Sequence, residues 1–385
     1  MTLAALGLLL VVGTGPAWAH QVDVERLSAE LEPAIHAMMT DGQVSSATIA
    51  LVVGDETIWS QGYGYANIWA KTPAVPETVY LIGSTFKAMS TMALLRQMEQ
   101  GDFELDDAVT NYMDDLVIRS EDPGDPVTFR HLLTHTSGLP GAFGPYLVWS
   151  DSVPPPIEEY LAADLEVVRP PLREVVYSNL AYTLVAHLLE QFSGEDFKEH
   201  IRRQIFEPLE MTSTAFDPTP SMDERLAVPY VVDTTSGKHV PVPRLRAAVW
   251  PAGIVYGTVE DQANWLIVNL NGGVFKGTRL ISAETLDEMH TRQWDVFAGP
   301  MEEIGFGNET TGYGLTWWTT QRNGDRYFAH SGSVPGYTAF LLGNIDRKLG
   351  FAILTNGNRA HPHLVRLAET AIDLLIELTS TDPGG

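Results

Sequence analysis

Apolar residues recur at helical spacing near the start of the chain. Leu27, Leu31, Ile35 and Met38 fall on one side of a helix over 24–39. Two runs of β-formers follow, over 47–53 and 57–65, and they flank Gly54-Asp55. This predicts an antiparallel hairpin at the edge of a sheet. From 85 to 100 the period is helical again, with Phe86, Met89, Met92 and Leu95 in step and Gly101 placed to end the helix. The stretch to about residue 243 reads mostly helical, broken by loops such as Pro154-Pro155-Pro156 and Pro170-Pro171. Beyond Tyr313 strands return: 337–342 and 350–355 flank the charged turn Asp346-Arg347-Lys348. A last helix over 363–375 has one apolar face.

The order is helix, strands, helical middle, strands, helix. Strands at both ends share one sheet only if the middle is an insertion. The predicted fold class is therefore α/β (α+β): an antiparallel sheet flanked by helices and built from both termini, with an inserted, mostly helical lobe. The α/β lobe is expected over 20–84 and 244–385, and the helical lobe over 85–243. A chain of 385 residues exceeds the roughly 250–300 at which one core stops growing. The cleft between the two lobes is the expected site, since ligands prefer such clefts. There is no internal repeat.

Composition changes the picture in three places. The formal net charge of −25 repels phosphates, so no nucleic-acid partner is expected. Cysteine is absent, which excludes disulfides, thiolate catalysis and cysteine-ligated metals. Residues 3–12 are an apolar run, and Ala17-Trp18-Ala19 offers small residues where a signal peptidase reads, with cleavage before His20. This predicts a signal peptide over 1–19 and a periplasmic or secreted protein, although Met1-Thr2 carries no positive charge. No later segment approaches the roughly 18 uninterrupted apolar residues of a membrane span.

Three short segments carry candidate chemistry. Ser84 begins the predicted second helix in Gly83-Ser84-Thr85-Phe86-Lys87. Its N–H lies at the positive end of the helix, suited to an oxyanion, and Lys87, three residues on, shares its face. A serine hydroxyl needs a neighbouring base to become a nucleophile. A lysine serves if burial or other cations lower its pKa. The same residues also suit a capping serine and a surface lysine. In Tyr177-Ser178-Asn179, Tyr177 is a candidate general acid or base and Asn179 a candidate to orient Lys87 and a substrate carbonyl. A packed tyrosine and a helix-capping asparagine explain them equally well. His330-Ser331-Gly332-Ser333 stands just before a predicted strand. There Gly332 permits close approach and the Ser333 N–H is a candidate oxyanion donor.

Together, the order and spacing of the three segments resemble the β-lactamase-related serine hydrolases: class C β-lactamases, DD-peptidases, D-aminopeptidases and esterases of the same fold. The run Arg130-His131-Leu132-Leu133-Thr134-His135-Thr136-Ser137-Gly138-Leu139-Pro140 is similar to that family's loop entering its helical lobe. Pro208-Leu209-Glu210-Met211, Pro251-Ala252-Gly253 and Tyr313-Gly314-Leu315 fit as well. The resemblance spans about 25–377. It implies a β-lactamase/transpeptidase-like fold. It also implies a Ser84 acyl-enzyme, Lys87 as its base, Tyr177 relaying a proton, Asn179 positioning substrate, and the Ser84 and Ser333 amides holding the oxyanion. No cofactor or metal is implied. The third segment carries His330 where β-lactamases of the family usually have lysine. A histidine titrates near neutrality, so a partial, pH-dependent charge is expected there, which argues against efficient β-lactam turnover.

Rival constellations are absent or weak. There is no G-x-S-x-G and no phosphate-binding loop. His131 and His135 have a zinc-ligand spacing but no third ligand, and are expected to cap and pack the turn at Thr136-Ser137-Gly138. Trp317-Trp318 suits either a cleft wall or core. The expected function is a secreted serine hydrolase acting on a small ester, amide or peptide, carboxylesterase or peptidase-like. A class C-like β-lactamase is the enzyme alternative, and a catalytically silent penicillin-binding or scaffold protein the non-enzyme one. The acyl group, D or L preference and oligomeric state are left open.

Overall fold

The computed structural model describes residues 22–120, 126–141, 147–149, 155–295 and 311–380; the predicted signal peptide lies outside them. Helix α1 (Val24–Asp41) starts at Asp23, whose carboxylate accepts the Arg26 N–H at 2.9 Å. Strands β1 (Ser46–Val53), β2 (Glu56–Asn67) and β3 (Thr72–Pro73) follow. Next come α2 (Lys87–Gln100), α3 (Asn179–Ser193) and α4 (Val259–Leu270), with shorter helices between them. Strands β4 (Trp294–Asp295), β5 (Gly312–Tyr313), β6 (Trp318–Arg322), β7 (Asp325–Val334), β8 (Tyr337–Asn344) and β9 (Leu349–Thr355) precede the last helix, α5 (His361–Ser380).

The nine strands form one antiparallel sheet in the order β4-β5-β6-β7-β8-β9-β1-β2-β3. Strands from both ends of the chain share it, and the mostly helical stretch lies between them in sequence. Every residue of β1 is buried, because both faces of the sheet are covered. Ala47, Ile49, Leu51 and Val53 pack with Leu31, Ile35 and Ile372 of α1 and α5. Ala50 and Val52 pack on the other face with Leu266 of α4 and the helical part of the chain.

Three expectations need correcting. The β1–β2 hairpin is not the edge: β1, apolar on both faces, also pairs with β9, and β3 ends the sheet. The segment His330–Ser333 lies inside β7, not before a strand, because the facing residues Leu341 to Thr338 of β8 supply its partners. Ser84 does not begin an α-helix: it sits in the 3₁₀ turn Gly83–Phe86, and α2 starts at Lys87. Among the described residues no helix is long and apolar enough to cross a membrane.

Ile353 is fully buried in β9, opposite Ile49 of β1 and Phe340 of β8. Ile353→Ala should lower unfolding free energy in urea by about 2–5 kcal/mol. A loss below about 1 kcal/mol would contradict the placing of this residue at the centre of the sheet.

Candidate active site

From Thr78 to Leu95 every residue is buried except Ser84. The turn that presents it is forced by contact with β7. Gly83 has φ +58°, and a Cβ there would come within 3.0 Å of the Ser333 nitrogen. A Cβ on Gly332 would meet the Ile82 carbonyl oxygen at 2.1 Å and the Ser84 nitrogen at 3.1 Å. Only glycine at both places lets the turn and the strand touch. The Ser84 and Ser333 amides flank that contact, and Ser333 itself is exposed.

Lys87 is fully buried one turn beyond Ser84. Its Nζ lies 2.9 Å from Ser84 Oγ, 2.8 Å from Asn179 Oδ1 and 2.6 Å from the Ala252 carbonyl oxygen. Among the described residues it has no carboxylate partner. Burial alone holds its pKa well below the usual 10.5. An ammonium would donate to all three oxygens. The neutral amine, which burial favours, donates to two of them and can turn its lone pair to the Ser84 hydroxyl. Nζ also lies 4.9 Å from the centre of the Tyr177 ring and 5.5 Å from that of Tyr182.

Asn179 is the first residue of α3. The cap is Ser178, whose hydroxyl accepts the Ala181 N–H at 3.1 Å, so the side chain of Asn179 is free to reach Lys87. Tyr177 is half-buried, but its hydroxyl oxygen is closed off and has no hydrogen-bond partner among the described residues. Burial raises its pKa, with the Ser84 hydroxyl acting in the opposite sense. The phenol therefore keeps its proton at neutral pH.

His330 departs from expectation. It is 1% exposed, and its Nδ1 lies 2.7 Å from the Ser331 carbonyl oxygen. A carbonyl only accepts, so Nδ1 carries the ring proton and Nε2, which has no partner among the described residues, is an acceptor. Burial lowers its pKa to about 3, and a proton on Lys87 would push it the same way. The partial positive charge expected at neutral pH is absent: a fully desolvated ring beside an amine does not take a proton. Trp317 and Trp318 are core, at 0% and 3% exposure. His131 completes the capping box with Thr128.

The structure brings Ser84, Lys87, Tyr177, Asn179, His330, Gly332 and Ser333 to one place. Sequence reasoning missed two contributors. The Ala252 carbonyl grips Lys87, and Pro251-Ala252-Gly253 was the only signal for it. His135 packs against Tyr177 with ring centres 4.3 Å apart.

This sheet, with a buried lysine behind a serine on the adjoining turn, defines a β-lactamase/transpeptidase-like fold with a serine-lysine site. The chain belongs to the Beta-lactamase family, whose profile matches residues 31–375. It is 25% identical over 353 residues to Protein flp of Staphylococcus aureus (strain NCTC 8325 / PS 47), covering 89% of this chain and 66% of that one. The chain thus spans just under two thirds of that relative. It is 28% identical over 384 residues to a beta-lactamase-like 1 protein of Homo sapiens, covering 95% and 73%. Among solved structures, an octameric penicillin-binding protein homologue from Pyrococcus abyssi aligns with TM-score 0.77 and 29% identity, covering 92% of this chain and 78% of that one.

The buried amine has a thermodynamic consequence. Unfolded, Lys87 binds a proton up to about pH 10.4; folded, it releases it well below that. In that window the unfolded state holds one more proton, so stability rises with pH. Relative to Lys87→Met, wild type should gain about 1.4 kcal/mol per pH unit across the window and then level off. Urea unfolding of both proteins at several pH values measures this. Parallel pH curves would contradict a neutral Lys87.

Proposed function

We propose that this protein is a serine hydrolase that cleaves an ester or amide bond through an acyl-enzyme on Ser84, with carboxylesterase or peptidase-like specificity. The observation that carries this reading is the fully buried Lys87 amine, whose Nζ lies 2.9 Å from Ser84 Oγ with no carboxylate beside it among the described residues. Lys87 takes the hydroxyl proton as Oγ attacks the substrate carbonyl. The Ser84 and Ser333 amides stabilise the oxyanion that forms. Tyr177, which keeps its proton, donates it to the leaving oxygen or nitrogen, and the proton on Lys87 replaces it. Water then enters, gives its proton back along the same route, and releases the acid and Ser84. Asn179 fixes the Lys87 amine and is placed to hold the substrate's acyl side. Membership of the Beta-lactamase family and the likeness to a penicillin-binding protein homologue support acyl transfer in general. The apolar run and small-residue site before His20 support export to the periplasm or medium.

The main alternative is a class C-like β-lactamase. Neutral, buried His330 disfavours it, because a β-lactam carboxylate would find no cation there. A silent scaffold is disfavoured by the cost of burying an amine without a counter-charge that does nothing.

Short p-nitrophenyl esters and nitrocefin, assayed side by side, test the reading. Wild type should turn over the esters faster than nitrocefin. Ser84→Ala should lose roughly 10³-fold or more of that activity. A fluorophosphonate should attach to the peptide containing Ser84. Rapid nitrocefin turnover would favour the β-lactamase reading, and equal behaviour of wild type and Ser84→Ala would favour the scaffold.

A further inference from the structure

His135 is left outside the chemistry above, yet its surroundings are unusual. The loop after the short helix Phe129–Leu133 turns inward at this residue. Its backbone is left-handed, with φ 58°, and its side chain is fully buried. A non-glycine residue in that region is uncommon, although histidine tolerates it better than most. Such a conformation persists where its neighbours over-determine it, and it clusters at functional sites.

The neighbours are the Tyr177 segment. The His135 carbonyl accepts the Val176 N–H at 2.8 Å, and His135 Nδ1 accepts the Ser178 N–H at 3.0 Å. The two bonds bracket Tyr177. Between them the His135 ring packs on the Tyr177 ring at 4.3 Å, with the rings of Tyr182 and Tyr313 at 5.3 and 5.4 Å. Nδ1 can accept only while the ring is neutral, so the ring proton is on Nε2, which has no partner among the described residues. A second proton would set a donor against the Ser178 N–H. Burial holds the ring's pKa well below its usual value, and a proton on Lys87 or on His330 would act in the same direction.

The groups facing Lys87 are the Ser84 hydroxyl, Asn179 Oδ1, the Ala252 carbonyl and the rings of Tyr177 and Tyr182. His135 and His330 are the titratable groups coupled to it from the adjoining loop and from β7. Tyr177 and Tyr182 both touch the His135 ring. That ring is therefore the plate behind the aromatic wall of the amine.

We propose that His135 is a positioning residue for the Ser84 reaction. By clamping Val176 and Ser178 it sets Tyr177 and Asn179 against Ser84 and Lys87. As a close-packed neutral ring it keeps water and a second positive charge away from the Lys87 amine. The inference rests on the reading of Ser84 as nucleophile.

The test compares wild type, His135→Ala and His135→Asn on a p-nitrophenyl ester from pH 5 to 10. Asparagine also tolerates the left-handed backbone, and its Oδ1 can accept the Ser178 N–H. His135→Ala should lose about 10²-fold in kcat with KM changed less than about threefold. His135→Asn should recover to within about tenfold of wild type. Both are smaller than histidine and admit water near Lys87. The acid limb of kcat/KM should therefore move to higher pH by about one unit. If His135→Ala does not fold, the shifted limb of His135→Asn is the deciding reading. An unmoved acid limb overturns the proposal, as do variants that match wild type. So does an equal loss in both variants, which marks a merely structural role. A wild type that neither hydrolyses esters nor takes a fluorophosphonate would instead overturn the serine-hydrolase reading itself.

Discussion

An amine buried without a counter-charge is the constraint around which the site is arranged. Lys87 is the first residue of α2 and is closed off from solvent. Placing an ammonium there would cost far more than the fold has to spare. Burial therefore favours the neutral amine, and two acceptors and one hydroxyl satisfy it. Those partners come from the 3₁₀ turn before it, from α3 ninety-two residues away and from a loop 165 residues away. The sheet and the helical stretch must both be in place before the amine has its partners. The same burial that makes Lys87 expensive is what would let it act as the base in the proposed reaction.

The neutral amine sets the electrostatic character of the whole site. With Lys87 uncharged, the next candidate cation is His330, and burial beside Lys87 keeps that ring neutral as well. Tyr177 is held as a phenol. Ser84 thus sits among neutral donors and acceptors within a chain of net charge −25. That is why the proposed function favours uncharged ester or amide substrates over one whose carboxylate needs a fixed cation.

Much of this was legible in the sequence. Leu27, Leu31, Ile35 and Met38 declared α1 by spacing alone, and all four are buried. Ser84, Lys87, Tyr177, Asn179 and His330 were legible because each stood in a short pattern whose order matched one family. What was not legible depends on three dimensions. Ala252 contributes a backbone carbonyl, which no side-chain pattern reveals. The tautomer of His330 depends on a carbonyl one residue along and on burial that its polar neighbours Ser331 and Ser333 concealed. Those same small polar residues hid the continuation of β7, whose partners lie on β8. The 3₁₀ turn at Ser84 follows from the contact of Gly83 with Gly332, almost 250 residues apart in the chain.

The central claim is the charge of one amine, and it can be measured directly. The chain has six lysines, few enough to follow individually by NMR of ¹³Cε-labelled lysine, with Lys87 assigned by the loss of its signal in Lys87→Arg. The account predicts that Lys87 titrates well below the usual 10.5, apart from the signals of its solvent-facing companions. A Lys87 resonance that titrates near that value would contradict it.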